Sequence, residues 1–242
     1  MMRTLQVILK KEDIIPEKLT SNIVIVLDVL LATSTIVSLL QHKAKSILPL
    51  EKKEDVTTVS TLYEKKDTIF IGEYEGQTLD GFLSPNPLEL QHQVENKHVI
   101  LSTTNGTVAI VKAKAAKQLY IASLLNATAI VKEIYQSIEK AQSVVIVCSG
   151  SSNQFCLEDF YGAGYLICEF LAHKERWKLT DSAKAALSFY KTGKANTILR
   201  ESQVGMLLAK YGYEEALDYV AQKGIYTVVP VFNGHEIIKK EE

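Results

Sequence analysis

Short runs dense in apolar and β-branched residues recur along the chain, separated by stretches in which apolar residues return at helical spacing. Ile23 to Asp28, Ser46 to Leu50, Thr68 to Glu73, His98 to Thr103, Gln118 to Ser123, Val144 to Ser149 and Tyr226 to Val231 read as strands. Thr35 to Leu40, Val108 to Ala116, Ala127 to Ile138 and Gly162 to Leu171 read as helices between them. This alternation specifies an α/β fold: three layers, with a mostly parallel sheet covered by helices on both faces. The runs around Ile25 and Ile146 are apolar at nearly every position, which places them mid-sheet.

Beyond Trp177 the pattern becomes helical throughout. Asp181 to Tyr190, Thr197 to Lys210 and Tyr213 to Gln222 form a helical C-terminal subregion spanning 178–224. In the third of these, Tyr213, Ala216, Leu217 and Val220 share one face. No linker-like tract interrupts the chain, so residues 1–242 are expected to fold as one unit. The Gly- and Pro-rich segment from Gly72 to Pro87 is expected to be a long loop with a functional role.

Charge narrows the classes of partner. Lys and Arg number 27 against 28 for Asp and Glu, so no global field draws nucleic acid or an anionic membrane. Anion recognition must be local. Three cysteines, Cys148, Cys156 and Cys168, lack zinc-site pairing and fit free thiols in the cytoplasm. Neither a secretory leader nor a membrane span is expected in Met1 to Lys11. A homodimer is compatible with a unit of this size, though no residue pattern specifies one.

Candidate chemistry gathers at strand ends, where open parallel sheets bind ligands. Asp28 closes the first strand and precedes Thr33, Ser34 and Thr35 at a helix start; these hydroxyls either cap the helix or hold phosphate. Thr103, Thr104, Asn105, Gly106 and Thr107 make a second polar turn, in which Gly106 allows positive φ or close backbone approach. A third runs through Ser149 and Gly150. Asp28, Glu73, Glu158 and Asp159 are four acids that the fold can bring to this edge, a donor set suited to Mg²⁺. Such an edge serves a small anionic phosphorylated substrate, the metal and the hydroxyl or N–H groups sharing the phosphate.

Several common motifs are absent. Val29 to Thr33 offers no dinucleotide glycine pattern, no P-loop lysine occurs, and Gly150-Ser151-Ser152 does not continue as a hydrolase elbow. Leu30 stands where a haloacid-dehalogenase-type phosphatase would carry its second Asp.

Six blocks in order resemble the 2-phosphosulfolactate phosphatase family: Asp28-Val29-Leu30 with Ala32 to Thr35, Gly72-Glu73, Gly81-Phe82, Thr103 to Thr107, Ser123 to Ala127, and Leu157-Glu158-Asp159 with Ala163-Gly164. The resemblance implies Mg²⁺-dependent hydrolysis of 2-phospho-3-sulfolactate to 3-sulfolactate and phosphate. It also implies catalytic roles for Asp28, Glu158 and Asp159, with Asp28, Glu73, Glu158 and Asp159 at the metal. Thr33, Ser34, Thr35, Thr103 to Thr107, Ser149 and Gly150 would bind substrate. The chain departs from the family pattern at Leu31 and Tyr74, where the family carries arginines. That substitution of apolar and aromatic groups for guanidinium leaves open a relative with altered specificity, or one that binds a small phosphorylated hydroxy acid without turnover.

Overall fold

The computed structural model describes residues 3–52, 55, 59, 65–138, 142–173 and 175–241. The chain enters through β1 (Thr4–Ile8), then β2 (Ile23–Leu27), α1 (Ala32–Gln41), β3 (Ser46–Leu50), β4 (Thr68–Tyr74), β5 (Gln77–Thr78) and the one-turn α2 (Pro87–Leu90). It continues with β6 (His98–Ser102), α3 (Gly106–Lys112), β7 (Gln118–Ala122), α4 (Ala127–Ser137), β8 (Val144–Cys148) and α5 (Leu157–Ala172). The last part holds β9 (Lys178–Leu179), α6 (Asp181–Tyr190), α7 (Ala195–Glu201), α8 (Gln203–Lys210), α9 (Glu214–Val220), β10 (Pro230–Phe232) and β11 (Ile237–Lys239).

The α/β expectation holds. All strands among the described residues join one sheet in the order β5-β4-β6-β3-β11-β10-β7-β2-β8-β1-β9. Two parallel blocks, β4-β6-β3 and β7-β2-β8-β1-β9, are joined by the antiparallel hairpin β10–β11. The strand expected over Tyr226 to Val231 is shorter and later, Pro230–Phe232. Residues before it are held instead by the α4 entry loop, where Gly224 and Tyr226 N–H groups donate to the Leu124 and Leu125 carbonyls at 2.9 Å each. β1 is absent from the periodicity reading, because its short Leu5-Gln6-Val7 alternation sits beside charged Arg3 and Lys10; pairing to β8 secures it.

β2 shows why both faces must be covered. Ile23, Ile25 and Leu27 enter one core with α4, α5 and α6, whereas Val24 and Val26 enter the opposite core with α1 and α3. Every β2 residue is buried, as its unbroken apolar run requires.

The sheet is strongly curled. Four strands separate β6 from β2 in the order, so a flat sheet would hold them roughly 24 Å apart at about 4.8 Å per step. Yet the position a Cβ would take on Gly106, just after β6, lies 2.7 Å from Asp28 Oδ2, just after β2. The sheet therefore wraps around α1 and α3 and brings the carboxyl ends of its two blocks together.

The helix expected over Thr197 to Lys210 is two helices. Ser202 is extended (φ −69°, ψ 155°), and its Oγ accepts the Gly205 N–H at 3.0 Å while donating to the Leu199 carbonyl at 2.9 Å. One hydroxyl thus ends α7 and starts α8. No helix among the described residues is long and apolar enough to cross a membrane.

Candidate active site

A cavity of about 360 Å³ opens where the two blocks meet. Its floor is polar: Asp28 from the end of β2, Glu73 from β4, Thr103 to Asn105 after β6, and Ser151 and Ser152 after β8. The apolar part of its lining comes from Leu30 and Leu31 and from Val204, Leu207 and Leu208 of α8.

Asp28 is the centre of this arrangement. Burial raises its carboxyl to about 7, with Glu73 and Glu158 adding repulsion, against the Ala32 N–H and the Lys11 charge. Gly106 makes room for it: a Cβ there would lie 2.4 Å from Ala32 Cβ as well as against Asp28. Of the two uses the sequence allows for Gly106, close approach is the one realised, since positive φ is found at other glycines.

Glu158 and Asp159 occupy the first turn of α5, each 3% exposed. Asp159 accepts the Val29 N–H at 2.9 Å and the Gly150 N–H at 3.1 Å, one on each carboxylate oxygen. It ties the end of β2 to the end of β8. Its carboxyl is pushed well up by burial, then by Asp28 and Glu158. Burial likewise raises Glu158, opposed by its hydrogen bonds, including those with the Ser202 hydroxyl and the Cys156 thiol. The three acids are thus close enough to repel one another, but of the three only Asp28 is among the residues lining the cavity; Glu158 and Asp159 are buried and are not.

Glu73 is braced. Its Oε1 accepts the Thr104 N–H at 2.7 Å; its Oε2 accepts the Gly76 N–H at 2.8 Å and the Thr104 hydroxyl at 3.1 Å. It holds the β4–β5 turn to the turn after β6; the segment expected as a loop from Gly72 to Pro87 thus begins as a short antiparallel hairpin, Tyr74 still in β4 and Gln77–Thr78 forming β5.

Several expected substrate contacts are corrected by the geometry. Thr33, Ser34 and Thr35 are wholly buried, and their hydroxyls donate to the carbonyls of Asp28 (2.9 Å), Val29 (2.8 Å) and Pro85 (2.6 Å). Thr107 closes its own turn, donating to the Thr103 carbonyl and accepting the Thr103 N–H at 3.0 Å each. Short hydroxylated side chains at a helix start satisfy nearby backbone first. Ser149 is buried, and Gly150 commits its N–H to Asp159; Ser151 and Ser152 reach the cavity instead. Thr103, Thr104 and Asn105 do line it, and Gly106 lies beneath.

Lys11 is a functional candidate that periodicity misses. It is 7% exposed, and its Nζ donates to Asn105 Oδ1 at 2.8 Å and pairs with Glu12 at 2.9 Å. The amide N–H₂ end of Asn105 is thereby left for the cavity. The only hint in the sequence is a lysine set between the apolar Ile8-Leu9 and Ile14-Ile15.

The donor set fits a hard cation in one mode only. No group of three or more His, Cys, Asp or Glu side chains able to hold a metal occurs among the described residues, so a four-acid cage is not formed. Glu73 and Asp159 direct both oxygens at N–H or hydroxyl donors. Asp28 remains at the cavity, whereas Glu158 is buried and is not among its lining residues; one or two carboxylates completed by water and phosphate oxygens is how Mg²⁺ is ordinarily bound.

A family model described as 2-phosphosulpholactate phosphatase matches residues 8–235. A protein of Clostridium perfringens (strain SM101 / Type A) is 34% identical over 244 residues, covering 96% of this chain and 95% of its own. One of Symbiobacterium thermophilum is 32% identical over 230 residues (93% and 97%), and one of Clostridium botulinum (strain Eklund 17B / Type B) is 31% identical over 231 residues (94% of each). All three are named probable 2-phosphosulfolactate phosphatase.

Proposed function

The chain belongs to the 2-phosphosulpholactate phosphatase family, and from that premise we propose that it is a Mg²⁺-dependent phosphatase of small phosphorylated hydroxy acids. 2-Phospho-3-sulfolactate, the compound in its relatives' names, is the reference substrate. The observation that carries the reading is the meeting of Asp28, Glu73 and the polar β6 and β8 turns at one cavity.

Asp28 would hold the cation, which would supply positive charge to the phosphate oxygens and acidity to water. Asn105, oriented by Lys11, presents its amide N–H₂ to the phosphate, and Thr103, Ser151 and Ser152 line the same floor. Lys11 offsets part of the negative charge around Asp28. In the net reaction water adds to phosphorus, the phosphorus–oxygen ester bond breaks, and the hydroxy acid leaves with a proton. Three free thiols support a reducing, cytoplasmic setting.

Phosphate release from 2-phosphosulfolactate, measured with Mg²⁺ and with EDTA, tests the reading. Release should require Mg²⁺ and fall by at least about 100-fold in Asp28→Asn. Calorimetric binding without release from any phospho ester would instead make the chain a non-catalytic binder, and undiminished Asp28→Asn turnover would remove Asp28 from the chemistry.

A further inference from the structure

Glu73 is an acid lining a cavity that receives an anion, where its charge opposes binding. A carboxylate kept in that place needs a role that outweighs the repulsion, and the pairing of β4 with β6 supplies one. Their parallel register sets Gly72 beside Ser102, so Glu73 comes level with the turn that follows β6. Gly72 permits the approach, because a Cβ there would lie 2.8 Å from the Ser102 carbonyl oxygen and 2.9 Å from Phe82 Cδ1. From this position Glu73 gathers three donors: the Thr104 N–H at 2.7 Å, the Gly76 N–H at 2.8 Å and the Thr104 hydroxyl at 3.1 Å. The Thr104 hydroxyl in turn accepts the Glu75 N–H at 2.8 Å. A ring of hydrogen bonds thus ties the β4–β5 turn to Thr104, the middle residue of the Thr103 to Asn105 floor. Lys11 holds the next residue, Asn105, through Oδ1 at 2.8 Å. The floor is therefore fixed at its middle by an anion and at its end by a cation, both through charge-assisted hydrogen bonds.

Resting on the phosphatase reading, we propose that Glu73 is a positioning residue: it shapes the Thr103 to Asn105 turn to receive phosphate, and it ligates neither the phosphate nor the cation. The sign of one substitution separates this role from the alternatives. Glu73→Gln removes a negative charge, which by Coulomb's law alone favours a bound anion. It also sets an amide N–H₂ against a group that now donates to the carboxylate, so the ring opens and the turn loosens. Charge and positioning therefore move phosphate affinity in opposite directions.

The experiment measures binding of inorganic phosphate by calorimetry, in EDTA and again in Mg²⁺, for the wild type, Glu73→Gln, Thr104→Val and Thr104→Ser. Glu73→Gln should bind phosphate at least about fivefold more weakly. Thr104→Val, which removes a hydroxyl and no charge, should weaken it in the same direction, and Thr104→Ser should restore it. Phosphate release by Glu73→Gln should stay reduced at saturating Mg²⁺. Equal or tighter phosphate binding by folded Glu73→Gln overturns the inference, as does a loss of release that excess Mg²⁺ repairs, which would make Glu73 a ligand. Where Glu73→Gln does not fold, unchanged phosphate binding by Thr104→Val overturns it. A wild type that binds phosphate but releases none from 2-phosphosulfolactate sinks the phosphatase and leaves the binding comparison to decide the role of Glu73. A wild type that binds no phosphate in either medium sinks that role, whatever the turnover.

Discussion

At the scale of single residues, the site is organised around a carboxyl group that the fold keeps in an unfavourable setting. Asp28 is 7% exposed, and its raised pKa means the folded protein retains a proton the unfolded chain would release. The sign follows directly. Stability from this group is present below its ordinary 3.8 and is lost as pH rises toward about 7. Glu158 and Asp159, shifted the same way, act in the same sense. Metal-free protein should therefore unfold at a lower temperature at about pH 8 than at about pH 5, and Asp28→Asn should stabilise it at the higher pH by on the order of 2 kcal/mol. Urea unfolding of both proteins in EDTA checks this; a destabilised Asp28→Asn at high pH would contradict it. A residue that costs stability and is retained in the site's centre is what a functional carboxylate looks like. Asp28 was legible in the sequence as a strand-terminal acid. That Glu73 and Asp159 brace the backbone was not, because bracing is defined by partners at Thr104, Gly76, Val29 and Gly150 that are distant in sequence or set by loop geometry.

Among elements, α8 connects the helical subregion to the chemistry. The apolar periodicity over Thr197 to Lys210 runs through Ser202 without a break, so it reads as one helix. Ser202 interrupts it because its hydroxyl satisfies both the end of α7 and the beginning of α8, and because Gly205 lets the Leu199 carbonyl pack where a Cβ would lie 1.7 Å away. The same hydroxyl holds the Glu158 carboxyl down against the rise that burial imposes. Ser202→Ala should cost about 1–2 kcal/mol through the lost cap. It should also raise KM by letting α8 shift, which steady-state kinetics beside thermal unfolding will detect. Unchanged KM in a destabilised variant would confine Ser202 to a capping role. In contrast, α6 spans Asp181–Tyr190, as its periodicity indicates, with Thr180 capping Ala183 at 3.3 Å.

Across the whole molecule, the curl of the sheet creates the site. Asp28 follows β2 and Gly106 follows β6, strands separated by β3, β11, β10 and β7, and the two residues approach only because the sheet wraps α1 and α3. Gly106→Ala inserts a methyl group 2.4 Å from Ala32 Cβ and 2.7 Å from Asp28 Oδ2. The contact must open, with a loss of about 1–3 kcal/mol and at least about 100-fold in phosphate release, read by unfolding and by assay. Retained activity would show that the two blocks need not touch.

The sequence by itself determined the class of fold, the interior and doubly covered position of β2 and β8, though these lie nearer one end of the sheet than its middle, and the strand-end polar turns. Those follow from local rules: unbroken apolar runs demand cover on both faces, and small polar residues must follow where strands stop. Only the tertiary structure decided which hydroxyls face the cavity, that Thr33 to Thr35 and Thr107 do not, that Lys11 stands behind Asn105, and that the antiparallel β10–β11 hairpin joins the two parallel blocks. The physical reason is that a polar side chain has several satisfactory partners. Which one it takes depends on backbone groups delivered by distant segments, and neither spacing nor composition encodes their arrival.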